Sequence, residues 1–203
     1  MTPNPEMKSI RWRDTHVAYG TVTRCLHWTM AGLIGWQFLG MGLRLILGRT
    51  PLVSFFVGTH QNVGTLLFLL IVLRIVWALI NRRNRPTYAP GMAGRAARAG
   101  HLMLYLALAV VPAAALVRAY GSDRGFSPFG VEIFSAQQPP LAWMVTLGNA
   151  LHGEIAWGMA VLILGHVVMV GVHQRMWRDA TLDRMAGNRL RGAANPQTET
   201  HEE

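Results

Sequence analysis

Four long apolar blocks constrain this 203-residue chain more than any other feature of its sequence. They cover roughly residues 23–47, 60–80, 101–120 and 142–172, each near or above the length of about 20 residues that a helix needs to cross a bilayer. Hydrophobic residues make up 51% of the sequence and are gathered in these blocks rather than in short alternating runs. The pattern predicts an all-α integral membrane protein, built as a four-helix bundle in contact with membrane lipid.

The net charge of +9 is distributed in a way that indicates orientation. Positive residues collect in cytoplasmic loops, so we expect both termini and the middle link to be cytoplasmic. This bias explains the excess charge, and the basic residues are not interleaved with aromatic ones, so no nucleic-acid partner is expected. The three basic clusters contain Lys8, Arg11, Arg13 and Arg24; Arg82, Arg83, Arg85, Arg95 and Arg98; and Arg175, Arg178, Arg184, Arg189 and Arg191.

The chain divides into three parts by composition. We predict a polar cytoplasmic lead over residues 1–18, a transmembrane domain over 19–186, and a polar, disordered tail over 187–203. The first 20 residues lack the apolar core and cleavage site of a signal peptide, so we expect the first span to direct insertion. Between the second and third spans we expect a cytoplasmic loop with a short surface helix over residues 92–99.

Cysteine content limits the cofactor chemistry. Cys25 is the single cysteine, which excludes an intramolecular disulfide and any cysteine-rich zinc or iron–sulfur site. A C-x-x-C-H motif is absent, so a haem in this protein would be held through its iron and not by thioether bonds.

The fourth apolar block contains His152 and His166, and His173 follows it directly. The 14 residues between the first two are nearly four helical turns, so both rings leave the same face of the helix. At about 1.5 Å per residue they lie roughly 21 Å apart, one towards each side of a hydrocarbon core about 30 Å thick. Ionisable side chains inside a span are costly and mark function by default, so this helix is predicted to offer ligands at two depths.

Other histidines provide candidate partners at each depth. His60 lies on the outer side and is the sole outer candidate to face His152. On the inner side, His27 and His101 are both candidates to face His166.

Arg74 is a further candidate site residue. It follows His60 by 14 residues, which puts it on the same helical face near the inner surface. Its side chain either snorkels toward lipid headgroups or neutralises a carboxylate of a bound cofactor.

Paired imidazoles can bind zinc, copper or haem iron. Zinc usually requires further ligands, and the nearest acidic residue, Glu154, points about 200° away from His152 around the helix. Haem requires only two axial ligands from facing helices, together with small residues that leave room for a flat group. The residue types therefore favour haem, with candidate clearance positions at Gly64, Gly153, Gly158 and Gly165.

A series of short motifs, each weakly specific, occurs in an ordered spacing. They are Tyr19 through Leu-His-Trp28, Thr-His-Gln-Asn-Val-Gly64, Arg74, Gly-His-Leu-Met-Leu-Tyr105, Phe126 to Gly130, Leu-His-Gly-Glu154, Gly-His166, His173, and Asp179 to Met185. With these motifs the chain resembles the bacterial cytochrome b561 family, which are four-helix membrane cytochromes b with two haems. The resemblance extends from residue 19 to about residue 185.

The resemblance implies two haem b groups with bis-histidine ligation. Its axial pairs correspond to His27 with His166 and to His60 with His152, which favours His27 over His101. It also implies a multi-pass protein of the bacterial inner membrane that moves electrons between the periplasmic face and the quinone pool.

One activity within that family is the oxidation of superoxide with reduction of ubiquinone. Basic side chains near the outer connections could attract the superoxide anion by electrostatic steering. His173, with Trp177, is the candidate for quinone contact or proton delivery. The outer basic residues are Arg44, Arg49, Arg118 and Arg124.

Two other interpretations use the same residues. In the first, the protein is a haem-bearing membrane anchor that passes electrons for a partner dehydrogenase or a periplasmic cytochrome. In the second, it is a haem-free transporter or metal carrier. A dithionite-reduced spectrum distinguishes the second from the others.

Overall fold

The computed structural model describes residues 11–179 and 181–187, and it is built from helices. The predicted all-α architecture with four apolar helices is confirmed, since the described residues contain no strand beyond an isolated bridge between Phe126 and Phe134. The side of the membrane that each terminus faces stays a prediction, and residues 188–203 of the predicted tail lie outside the described residues. The helices are α1 (Thr21–Leu47), α2 (Pro51–Ile80), α3 (Gly91–Tyr120), α4 (Ala142–Val172) and α5 (Thr181–Ala186), with a π-helical turn (His173–Trp177) that continues α4.

Two of the helices begin well before the apolar blocks that predicted them. Thr50 caps α2, its hydroxyl accepting a hydrogen bond from the amide of Val53, and Pro51 occupies the first turn. His60 was expected at the start of this span and instead lies nine residues inside it, which is about 13 Å along the axis. Likewise, the short surface helix expected over residues 92–99 is the first part of α3. Hydropathy locates the lipid-embedded part of a helix, whereas capping groups decide where the helix begins.

The helices pack unequally around the bundle. The most extensive packing joins α3 to α4, while α1 packs on α2 and α2 on α3. Gly148 explains the first of these contacts, because a Cβ there would lie 2.5 Å from the Cβ of Arg118 and 2.7 Å from the carbonyl oxygen of Ala114. Within the described chain, neither α1 nor α2 packs closely along α4. The bundle is therefore tight on one side of α4 and open on the other.

A small apolar core lies at the middle of the bundle. Met159 of α4 packs with Ala107 and Val111 of α3, with Phe38 of α1 at its edge. Many other large apolar side chains are exposed, as expected for surfaces that face lipid. Met159 is seven residues, nearly two turns, from both His152 and His166, so this core separates the two histidine levels.

The described part of the N-terminal lead is fastened to the end of the bundle that holds the start of α1, which we call the inner end. Asp14 is buried, and its carboxylate accepts hydrogen bonds from the amide of Gly20 at 2.9 Å and the hydroxyl of Thr23 at 2.6 Å. It also forms an ion pair at 3.0 Å with Nε of Arg85 in the link between α2 and α3. Three segments of the chain are thereby joined through one carboxylate.

Candidate functional site

The outer level consists of His60 on α2 and His152 on α4. Their ring centroids are 5.9 Å apart, with the ring planes at 77°. Nδ1 of His152 lies 2.9 Å from the carbonyl oxygen of Val111 on α3. Because a carbonyl only accepts, Nδ1 carries the proton and donates it, which leaves a lone pair on Nε2. A hydrogen bond of this kind fixes the tautomer of metal-ligating histidines.

His60 is held in place through its backbone and not through its ring. The side-chain amide of Gln37 on α1 donates a hydrogen bond of 3.0 Å to the His60 carbonyl. Nδ1 of His60 is buried and has no hydrogen-bond partner among the described residues. A buried polar atom without a partner is costly in an ordinary core, so the ring is placed for another ligand.

The inner level brings three histidines together. His166 on α4 faces His27 on α1 with a centroid separation of 6.4 Å, and His101 on α3 with one of 5.5 Å. The hydroxyl of Tyr88 lies 3.0 Å from Nδ1 of His101. Both sequence candidates for the inner partner of His166 are thus adjacent to it.

Arg74 points into the inner level. Both of its terminal nitrogens lie 3.2 Å from Nδ1 of His27, and its Nε donates to the hydroxyl of Tyr105 at 3.1 Å. A guanidinium has no acceptor, so in this arrangement Nδ1 of His27 accepts and the ring proton lies on Nε2. Snorkelling toward headgroups, one of the two roles considered from the sequence, does not describe this side chain.

The separations of the paired rings suit a shared metal ion. A metal–nitrogen bond to imidazole is about 2.0 Å long, and the ring centre lies about 1.15 Å beyond that nitrogen. Two imidazoles on opposite sides of one ion would therefore have ring centroids about 6.3 Å apart. The observed 6.4 Å for His27 and His166 and 5.9 Å for His60 and His152 are close to this value. No group of three or more histidine, cysteine or acidic side chains in the described residues is arranged to hold an ion. The donor sets therefore fit a cofactor that brings its own equatorial ligands, as haem does.

Open space next to α4 is consistent with a flat group. A Cβ at Gly153, Gly158 or Gly165 would meet nothing within 4 Å, so these positions leave space at the surface of α4, and their role as clearance for a cofactor stays a prediction. Gly64 differs, since its Cβ would lie 3.3 Å from the side-chain nitrogen of Gln37. Its small size accommodates the glutamine that holds His60.

His173 and Trp177 form a separate cluster at the inner end of α4. Their rings meet edge to face at 4.6 Å within the π-helical turn, a distortion that often marks functional sites. The next residue, Arg178, adopts a left-handed conformation (φ 50°) that turns the chain back. Asp179 then places its carboxylate 2.6 Å from Nδ1 of His173.

Hydrogen bonding keeps Asp179 ionised. Slight burial opposes ionisation, but hydrogen bonds from Thr181 and His173 outweigh it and lower the pKa of Asp179 below 3.8. The carboxylate thus fixes the His173 ring through Nδ1 and leaves Nε2 of that ring available to another partner.

The outer arginines are not gathered into one site. Arg44 and Arg49 line a cavity of about 380 Å³ together with Gly58, which precedes His60 by two residues. Arg118 donates a hydrogen bond of 3.4 Å to the side chain of Asn149. Arg124 is exposed on the segment between α3 and α4 (residues 121–141), which we call the outer connection.

Several contacting residues were not singled out from the sequence. Tyr105 and Asp179 lie within recognised motifs but had been assigned no contact. Asn62 accepts a hydrogen bond of 2.9 Å from the amide of Phe129, which ties the outer connection to α2 beside His60. The signal available was the unusual presence of Gln37 and Asn62, two amides, within apolar helices.

Comparison with known proteins gives consistent results. A family model described as prokaryotic cytochrome b561 matches residues 18–188. The chain is also similar to cytochrome b561 homolog 2 of Escherichia coli (strain K12), with 29% identity over 183 residues. That alignment covers 86% of this chain and 94% of the relative.

Proposed function

Because the chain belongs to the prokaryotic cytochrome b561 family, it is a membrane haem b electron-transfer protein, and we propose that it holds two haem b groups by bis-histidine ligation. His60 with His152 would hold the outer group, and His27 with His166 would hold the inner group. The observation that carries the proposal is the presence of two ring pairs, 14 residues apart on α4, with separations suited to a shared ion. Bound haem would supply reversible one-electron chemistry at each level.

The surrounding residues would orient the ligands. Val111 holds His152 in the tautomer that leaves Nε2 free for iron. At the inner level, ligation through Nε2 of His27 requires Arg74 to release Nδ1 of that ring. The released guanidinium is suited to pair with a carboxylate of the cofactor, the second role considered from the sequence.

The test of this proposal is haem stoichiometry in the purified chain. A pyridine haemochrome assay should give two haems per polypeptide. His152→Ala and His60→Ala should each lose one haem and retain the inner one. A colourless protein would instead favour the haem-free transporter.

We further propose that electrons enter at the outer end and leave to ubiquinone, with superoxide as a donor. Oxidation of two superoxide anions to dioxygen releases the two electrons that, with two protons, convert ubiquinone to ubiquinol. Arg44 and Arg49 support this proposal, because they place positive charge on a cavity next to the His60 segment. The rate of superoxide consumption should fall as ionic strength rises, and a salt-independent rate would argue against steering.

The proposed quinone contact is the cluster of His173 and Trp177. Asp179 supports this role, since it orients His173 and leaves Nε2 to exchange a proton with a bound quinone. Binding of a quinone should therefore depend on His173 while both haems are retained.

A second candidate function is that of a haem-bearing anchor for a partner dehydrogenase or periplasmic cytochrome. The outer connection favours it to the extent that Phe129, Val131 and Ile133 expose apolar side chains there. Copurification of a stoichiometric partner would support this function. Superoxide consumption by the isolated chain with quinone would support the enzyme.

A further inference from the structure

A second polar cavity lies at the inner end, outside the histidine levels. Its volume is about 350 Å³, and it is enclosed by the end of α2, the link to α3 and the first turns of α3. We call it the basic pocket, and its polar lining consists of Tyr19, Arg82, Arg85, Thr87, Tyr88 and Arg98.

The basic pocket has a surplus of positive charge. Of its three guanidinium groups, that of Arg85 is paired with the buried carboxylate of Asp14. Arg82 and Arg98 are exposed, and neither has a carboxylate partner within ion-pair distance in the part of the chain that the structure describes. Two positive charges therefore remain without a counter-charge.

The pocket also offers hydrogen-bond donors. The guanidinium of Arg98 lies 5.5 Å from the ring centre of Tyr88, and the Tyr88 hydroxyl can accept from His101 while its own proton remains available. Burial raises the pKa of Tyr88 and of Tyr19 above 10.0, so both phenols stay protonated at neutral pH. A ligand with several acceptor oxygens and a negative charge, such as a phosphate group, matches this lining.

Apolar side chains beside the arginines indicate where that phosphate comes from. Leu102 lies one turn deeper than Arg98 on the same face of α3 and is 58% exposed. Leu79 lies one turn before Arg82 at the end of α2 and is 61% exposed. Cationic groups at headgroup depth with exposed leucines below them fit a lipid, whose acyl chains continue along the helices.

We propose that the basic pocket binds the phosphate of an anionic phospholipid, with Arg82 and Arg98 as its principal contacts. The occupant is a lipid with a net negative headgroup, such as phosphatidylglycerol. The phosphate of phosphatidylglycerol compensates one of the two arginine charges, whereas in a zwitterionic lipid of the same chain length the headgroup cation already neutralises the phosphate, and both arginine charges stay without compensation. The proposal is independent of haem ligation and of the electron donor.

The test is native mass spectrometry of the full-length haem protein, supplied with phosphatidylglycerol or with phosphatidylcholine of identical acyl chains. The wild-type protein should retain one phosphatidylglycerol molecule in preference to phosphatidylcholine. R82Q/R98Q should bind phosphatidylglycerol about thirtyfold more weakly, because each arginine near a membrane surface contributes about a fivefold factor. The matched control R83Q/R95Q removes the same charge from exposed neighbours outside the pocket and should keep the preference.

Three outcomes would overturn the proposal. Equal retention of the two lipids by the wild-type protein would do so without any variant, even if R82Q/R98Q failed to fold. Loss of phosphatidylglycerol on adding millimolar inorganic phosphate at constant ionic strength would show that the pocket takes free phosphate. A fall in haem content in R82Q/R98Q, but not in R83Q/R95Q, would assign the pocket to a haem carboxylate.

Discussion

Replacing His27 and His101 separately decides which ring shares the inner haem with His166. Collinear imidazoles on one iron have centroids about 6.3 Å apart. The His27 ring is 6.4 Å from His166, whereas the His101 ring is 5.5 Å away, too close by about 0.8 Å on the same basis. We therefore expect His27→Ala to lose the inner haem and His101→Ala to retain it.

The expected magnitude is one haem out of two. A pyridine haemochrome assay should give half the wild-type haem per polypeptide for His27→Ala and the full amount for His101→Ala. The double variant His27→Ala/His166→Ala should lose no more than either single variant, since both rings serve one haem. His16→Ala, which changes an exposed histidine of the lead, is the matched control.

The opposite result would refute the reasoning from ring separation. If His101→Ala halved the haem content while His27→Ala left it unchanged, Tyr88 would be the residue that orients the inner ligand. Arg74 would then remain bound to His27 in the loaded protein.

Three further predictions concern residues around the site. Asp14→Ala should destabilise the protein by about 3 kcal/mol, because a buried ion pair loses one partner while Arg85 keeps its charge. Thermal loss of the haem spectrum measures this effect, and a change below about 1 kcal/mol would contradict the prediction. Asn62→Ala should speed amide hydrogen exchange in the outer connection, because Phe129 has a left-handed backbone (φ 53°) and an exposed ring, and the hydrogen bond that its amide donates to the Asn62 side chain restrains it. Unchanged exchange there would contradict this. The lowered pKa of Asp179 means that its hydrogen bond to His173 is fully present above pH 3.8 and is lost only as pH falls through a still lower value. The rate of quinone reduction should therefore show no titration from Asp179 between pH 5 and 8.

The four spans and the histidine spacing on α4 could both be predicted from the sequence, because both are local properties of a single helix. The need for about 20 apolar residues is a local property, and it located all four membrane helices. The relation between His152 and His166 is equally local, because a continuous helix fixes the angle and the distance between two of its own residues. The first residue of each helix was harder to predict, because capping groups rather than hydropathy determine it, as the early start of α2 at Pro51 shows.

Contacts between helices had to come from the tertiary structure. Helix geometry read from the sequence could not distinguish His27 from His101 at the inner level, and only the family resemblance favoured His27. Both residues lie at the same depth, and the choice depends on how α1 and α3 are rotated about their axes. The contact of Arg74 with His27, and the joining of three segments by Asp14, depend on the same rotations.

The amino-acid sequence by itself thus determined how deep each residue lies along its helix, because the bilayer acts on every span separately. It did not determine which neighbour each helix face points toward. That follows from side-chain packing between helices, such as the close approach at Gly148 that brings α3 against α4 and leaves the opposite side of α4 open.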